Sequence, residues 1–185
     1  MLVCLQHFRS RRPPKSERRA RHGLQADGKG TIPLLLKKEL VRTDESFGSQ
    51  EDALRTIAQR FVDHGYAKDT YPQAIIDRER VYPTGLPAEA FDIAISHCDS
   101  DHVNESAIGV SVLAEPVDFE MMGKISDDIL RPYVIFMLAI KDPKAQVPTL
   151  QKMMQVIQNK DLLNQIRAAK TAEEVFDLLA PALEE

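Results

Sequence analysis

Residues 133–140 read Tyr-Val-Ile-Phe-Met-Leu-Ala-Ile, an unbroken apolar run bounded by Pro132 and Lys141. A helix that crosses a bilayer needs about 20 such residues, and this run has eight. It has the length of one strand. Its lack of polar alternation fits a strand covered on both faces, as in the middle of a sheet. A strand of that kind requires helical layers above and below it.

The surrounding sequence supplies both. Upstream, Ala107–Leu113 is rich in β-branched residues and Phe91–Ile95 alternates apolar with polar, so both read as strands. Val117–Phe119 reads as a short edge strand, and Met121–Leu130 as a loop or weak helix. A helix is expected to start at Ser49, with Asp52 three residues on in a capping-box arrangement. Its apolar stripe is Ala53, Leu54, Ile57, Ala58, Phe61 and Val62, and His64-Gly65 supplies a stop. Tyr71-Pro72 opens a second helix that runs to about Arg80. After the long strand, Pro148 begins a stripe of Leu150, Met153, Met154 and Ile157, followed by Leu162, Leu163 and Ile166. Thr171 and Glu174 box the start of a last helix carrying Val175, Phe176, Leu178 and Leu179. The order of helices, strands and helices, without repeats, predicts one α/β domain over residues 39–185, a mixed β-sheet sandwiched between helices.

Charge divides the chain differently. Residues 1–30 hold eight Lys/Arg against Glu17 and Asp27, net +6, while the whole chain is −4, so the remainder carries −10. A basic extension over residues 1–38, with Pro13-Pro14 and little apolar periodicity, is expected to be disordered. An acidic body makes nucleic acid an unexpected partner, since phosphate binding needs a basic face. The apolar start Met1–Leu5 is interrupted by Gln6 and His7, so no secretory signal is expected. Cys4 and Cys98 give no disulfide framework, which fits a reducing cytoplasm.

The candidate chemistry lies at the end of the strand Phe91–Ile95, where the chain continues Ser96-His97-Cys98-Asp99-Ser100-Asp101-His102. A sheet delivers His97 into a polar loop, and an imidazole titrates closest to neutrality, so it can be nucleophile, base or ligand. A metal held by His97, Cys98, Asp99, Asp101 or His102 is one alternative, and Cys98 as a nucleophile is another. Just upstream, Arg78 ends a helix and Thr84-Gly85 forms a turn. The arginine fork suits phosphate oxygens, and the threonine hydroxyl could add a donor. Gln146 stands after the long strand as a third polar candidate.

These segments together resemble a known family. Asp77-Arg78-Glu79, then Tyr82-Pro83-Thr84-Gly85-Leu86, then Asp92–Cys98 and Asp101-His102-Val103 look like the active-site region of enzyme IIA of the sugar phosphotransferase system. The fructose/mannitol superfamily is indicated, most like its galactitol-type branch. Ala107–Val110, Pro116–Phe119, Met122-Gly123, Val134–Ala139 and Leu150–Met153 match in order, so the resemblance covers about residues 40–180. It implies the enzyme IIA fold of phosphotransferase and anion-transport type. It also implies phosphoryl transfer: His97 would accept phosphoryl from HPr and pass it to a cysteine of enzyme IIB, which serves the membrane enzyme IIC. Arg78 matches the family arginine near the phosphohistidine, and Thr84 a neighbouring donor. No cofactor, metal or membrane insertion is implied. Two departures stand out. Ser96 replaces the usual proline before the histidine, and Gln146 stands where the mannitol branch has a second histidine, a role that His102 could fill instead. The alternative function is a regulatory binding module of the same fold that senses phosphorylation without moving sugar.

Overall fold

The computed structural model describes residues 35–124 and 128–184. The strands are β1 (Leu36–Glu45), β2 (Gly85–Leu86), β3 (Ile93–His97), β4 (Ala107–Leu113), β5 (Phe119–Glu120), β6 (Ile129–Leu130) and β7 (Val134–Ala139). The helices are α1 (Gln50–Asp63), α2 (Tyr71–Val81), α3 (Pro143–Gln158), α4 (Lys160–Ala168) and α5 (Ala172–Glu184). The main sheet has the order β1-β4-β7-β3-β2. Strand β7 runs parallel to β3 and antiparallel to β4, so the sheet is mixed and the apolar run sits at its centre.

Every residue of β7 is buried, and alternate side chains enter different cores. Val134, Phe136 and Leu138 pack with Met153, Ile157, Leu163 and Val175 of α3, α4 and α5. Ile135, Met137 and Ala139 pack with Ile57, Phe61 and Ile75 of α1 and α2. The period-2 geometry of a strand thus turns one apolar run into two helix-facing surfaces.

The local signals for helices act as expected. Ser49 Oγ accepts from the Asp52 amide at 3.1 Å, and Gly65 adopts φ 81° just past the end of α1. Thr171 Oγ1 accepts from the Glu174 amide at 3.2 Å at the start of α5. The fully buried Tyr71 anchors the start of α2 by donating to the Leu138 carbonyl of β7 at 3.0 Å.

Three expectations change. Strand β1 carries no such local signal, and it begins at Leu36, inside the extension expected over residues 1–38; the basic arm lies outside the described residues. Residues 36 and 41 face the same core because a bulge lets that interval oppose only Ile108 to Val110. Secondly, the expected edge strand near Phe119 forms as β5, and β6 pairs with it in a separate two-stranded sheet, although Ile129 and Leu130 were expected to lie in a loop or weak helix. Thirdly, α3 starts at Pro143 rather than Pro148, because Asp142 Oδ1 caps the Lys144 amide at 2.9 Å. Pro148 lies inside that helix.

Gly85 shows why the Thr-Gly turn needs glycine. A Cβ there would lie 2.6 Å from the Glu120 carbonyl oxygen, a backbone atom that cannot rotate away. Gly85→Ala is expected to destabilise by ~1–3 kcal/mol through this overpacking. A thermal melt should record a drop of about 3–10 °C for a domain of this size. An unchanged Tm would mean that β5 yields freely.

Candidate functional site

Strand β3 ends at His97, whose Nδ1 lies 3.0 Å from the Ile95 carbonyl oxygen. A carbonyl can only accept, so Nδ1 carries the proton and the lone pair of the neutral ring sits on Nε2. The ring lines a cavity of about 630 Å³ together with Arg78, Thr84, Met122, Leu150 and Met154. Arg78 reaches it from the last turn of α2, its guanidinium carbon 4.4 Å from the centre of the Tyr82 ring. Arg78 Nη1 is buried, with no hydrogen-bond partner among the described residues. A buried unpaired donor is costly, and a charged one more so. The feature fits a seat for an anion that supplies the missing acceptor.

Burial holds the His97 imidazole below its ordinary value of 6.5, and the Arg78 charge adds to the effect. The Ile95 hydrogen bond and Asp99 act the other way and recover only part. The ring is therefore neutral, and Nε2 available, throughout the neutral range. An NMR titration should give a His97 midpoint below 6.5, and Arg78→Ala should move it upward. Because the folded value is depressed, protonating His97 opposes folding, so this contribution to stability fades as pH falls through the folded midpoint. A midpoint at or above the ordinary value would contradict this picture.

Behind the ring lies a buried polar chain. Glu79 Oε1 accepts from the Thr84 amide at 2.9 Å, and Glu79 Oε2 accepts from the Thr84 hydroxyl at 2.6 Å. Gln50 Nε2 adds a donor to Glu79 Oε1 at 3.2 Å. Thr84 Oγ1 and Ser96 Oγ are 3.2 Å apart. With the Thr84 proton given to Glu79, the Ser96 hydroxyl donates to Thr84. All three side chains are nearly inaccessible: Glu79 5%, Thr84 2%, Ser96 1%. Thr84 thus borders the cavity with its hydroxyl proton committed to Glu79, and the Ser96 hydroxyl turns toward Thr84. Burial raises the Glu79 carboxyl, and the Thr84 hydrogen bonds offset part of that.

The remaining candidates lie elsewhere. His102 Nδ1 is 2.8 Å from Thr70 Oγ1 and lines a second cavity with Thr70, Gln73 and Asp99, so the two imidazoles face different cavities. These cavities share Arg78, Val81 and Tyr82 as walls. Gln146 lies in α3 and lines neither. Cys98 is buried, and burial together with Asp99 pushes its thiol up to about 12, which leaves it protonated and unreactive at neutral pH. Among the described residues no group of three His, Cys, Asp or Glu side chains is gathered as a metal cage.

Sequence reasoning missed Glu79 as a structural acid, Tyr82 as a cover for Arg78, and the far wall of Met122, Leu150 and Met154. A signal for Glu79 was present. Residues 71, 72, 75, 76 and 79 share one helix face, so a carboxylate ends an otherwise uncharged stripe.

Comparison with known proteins gives a consistent pattern. Residues 34–181 match the family described as phosphoenolpyruvate-dependent sugar phosphotransferase system, EIIA 2. The galactitol-specific EIIA component of Escherichia coli K12 is 30% identical over 123 residues, which is 66% of this chain and 81% of that protein. The complex of mannitol enzyme IIA with phosphorylated mannitol enzyme IIB from Escherichia coli superposes with a TM-score of 0.64 at 25% identity, covering 80% of this chain and 99% of that one. The nitrogen regulatory protein IIA-Ntr from Neisseria meningitidis gives a TM-score of 0.63 at 19% identity, over 78% of this chain and 96% of that one, and shows the shared fold alone.

Proposed function

The chain belongs to the EIIA 2 family of the phosphoenolpyruvate-dependent sugar phosphotransferase system, and on that premise we propose that Nε2 of His97 is the temporary seat of the phosphoryl group it carries. The observation that carries the assignment is Arg78 on the wall of the cavity that His97 lines, with its buried Nη1 unpartnered among the described residues. In the first step the Nε2 lone pair attacks phosphorus in line while the bond to the phosphohistidine of HPr breaks, and that donor ring keeps the bonding pair. Arg78 faces the equatorial oxygens, where charge is spread in the transition state. The Nδ1–H bond to Ile95 fixes the tautomer and stabilises the ring as it takes on positive charge. In the second step a cysteine thiolate of enzyme IIB attacks the same phosphorus, and His97 leaves as a neutral imidazole with its pair on Nε2.

Donor and acceptor are proteins in this reading. Val81, Tyr82, Met122 and Met154 are exposed large apolar side chains, and all four line the His97 cavity. An apolar rim around a polar floor suits a protein surface that closes over the site. The similarity to the galactitol-specific component supports a galactitol-like sugar, delivered through enzymes IIB and IIC, with this protein at work in the cytoplasm.

Mixing the protein with phosphorylated HPr should add one phosphate, located on His97 by mass spectrometry. Addition of the cognate enzyme IIB should discharge it onto the acceptor cysteine. No phosphate on His97 would refute the assignment. A phosphorylated form that never discharges would favour a module that senses phosphorylation over a carrier.

A further inference from the structure

The buried chain behind His97 has no place in the transfer chemistry, yet it ties helix α2, which carries Arg78, to the Thr84 turn and to the end of β3, which carries His97. Glu79 belongs to α2, one residue from Arg78. Its carboxylate takes both the amide and the hydroxyl of Thr84. The Thr84 carbonyl accepts from the Ile95 amide at 3.2 Å, and the Ile95 carbonyl accepts from His97 Nδ1 at 3.0 Å. The Thr84 hydroxyl reaches Ser96, the residue directly before His97. Two routes therefore run from one carboxylate to one imidazole, one through backbone and one through hydroxyls. We propose that Glu79 is a positioning residue for phosphoryl transfer, which through Thr84, Ile95 and Ser96 fixes the strand end that presents His97 against Arg78. The proposal rests on the carrier reading given above and extends it to a residue that touches no reacting atom.

Chemistry at this spot favours fixing over charge. Oε1 accepts two N–H donors and Oε2 accepts one O–H, so the carboxylate is used as a three-point clamp. Ser96 is the far end of that clamp. A backbone free to rotate at residue 96 is held by its hydroxyl rather than by a ring that locks φ.

The test separates positioning from mere stability. Glu79→Ala removes both acceptors for Thr84 and should slow transfer at saturating phosphorylated HPr by at least about tenfold, since small displacements of a reacting group are expensive. Glu79→Gln should transfer within about threefold of wild type. Its carbonyl can hold the Thr84 amide, and its NH₂ can donate to a Thr84 hydroxyl turned toward Ser96. The ¹⁵N spectrum of His97 should show one tautomer in wild type and Glu79→Gln, and mixed tautomers in Glu79→Ala. Should Glu79→Ala not fold, Thr84→Val removes a single hydroxyl and should mix the tautomers and slow transfer in the same direction. Wild-type transfer per folded molecule together with a single tautomer, in Glu79→Ala or Thr84→Val, would overturn the proposal, as would a Glu79→Gln variant as slow as Glu79→Ala. The tautomer readout needs no phosphoryl donor, so it remains decisive even if His97 proved not to be the acceptor.

Discussion

His97→Gln is expected to abolish phosphorylation by HPr while leaving the fold in place. The side chain is half-buried at the end of β3, and its hydrogen bond in the structure goes to a carbonyl within the same strand. A glutamine amide can donate to that carbonyl, so the stability change should stay within the ~0.5–1.5 kcal/mol of one hydrogen bond. Reactivity is another matter. The amide nitrogen lone pair is delocalised into its carbonyl and does not attack phosphorus, whereas the neutral imidazole offers a localised pair on Nε2. Radiolabel from phosphoenolpyruvate, passed through enzyme I and HPr, should appear on wild type and be absent from the variant, with superimposable far-UV spectra. Equal labelling would move the acceptor to another residue, with His102, on the neighbouring cavity, as the next candidate.

Arg78→Ala should be the second largest effect, slowing transfer to His97 by about 10²–10³-fold, the range seen when one preorganised donor to a developing oxyanion is removed. Stability should barely change. The lost contact with the exposed Tyr82 ring is worth ~0.5–1 kcal/mol, and removing a buried unpartnered Nη1 relieves a penalty that the resting protein carries. That asymmetry is the signature of a group kept for a ligand rather than for the fold. Arg78→Lys should fall between the two, because a point charge restores attraction to the phosphoryl oxygens without the planar fork. Stopped-flow transfer from phosphorylated HPr measures all three proteins. A wild-type rate in Arg78→Ala would show that the cavity holds phosphate by other means.

The reach of local sequence can be seen by comparing α1 with β1. Helix α1 announces itself through Ser49, a stripe at helical spacing and Gly65, because each of those signals lies within a few residues of its partner. Strand β1, Leu-Lys-Lys-Glu-Leu-Val-Arg-Thr-Asp-Glu, shows no clean alternation, and a bulge shifts its faces. What makes it a strand is pairing with β4, more than sixty residues later in the chain, and strand preference follows such context more than intrinsic propensity. The same holds for β5 and β6, two-residue strands that exist only as a pair.

The site divides along the same line. Residue types and their order were enough to single out His97 and Arg78 and to flag Ser96 as unusual, since these lie in short segments with recognisable chemistry. Sequence alone also determined the central strand, the helical layers and the branch of the family that the chain most resembles. Only the tertiary structure decided that Arg78 Nη1 is buried without a partner among the described residues, that Thr84 spends its hydroxyl on Glu79, and that His102 and His97 open to different cavities. It alone brought Met122 and Met154 to the far wall of the cavity. Hydrogen-bond allegiance and cavity walls depend on which atoms meet after the chain has crossed the sheet several times, and residue spacing in one dimension carries no record of that.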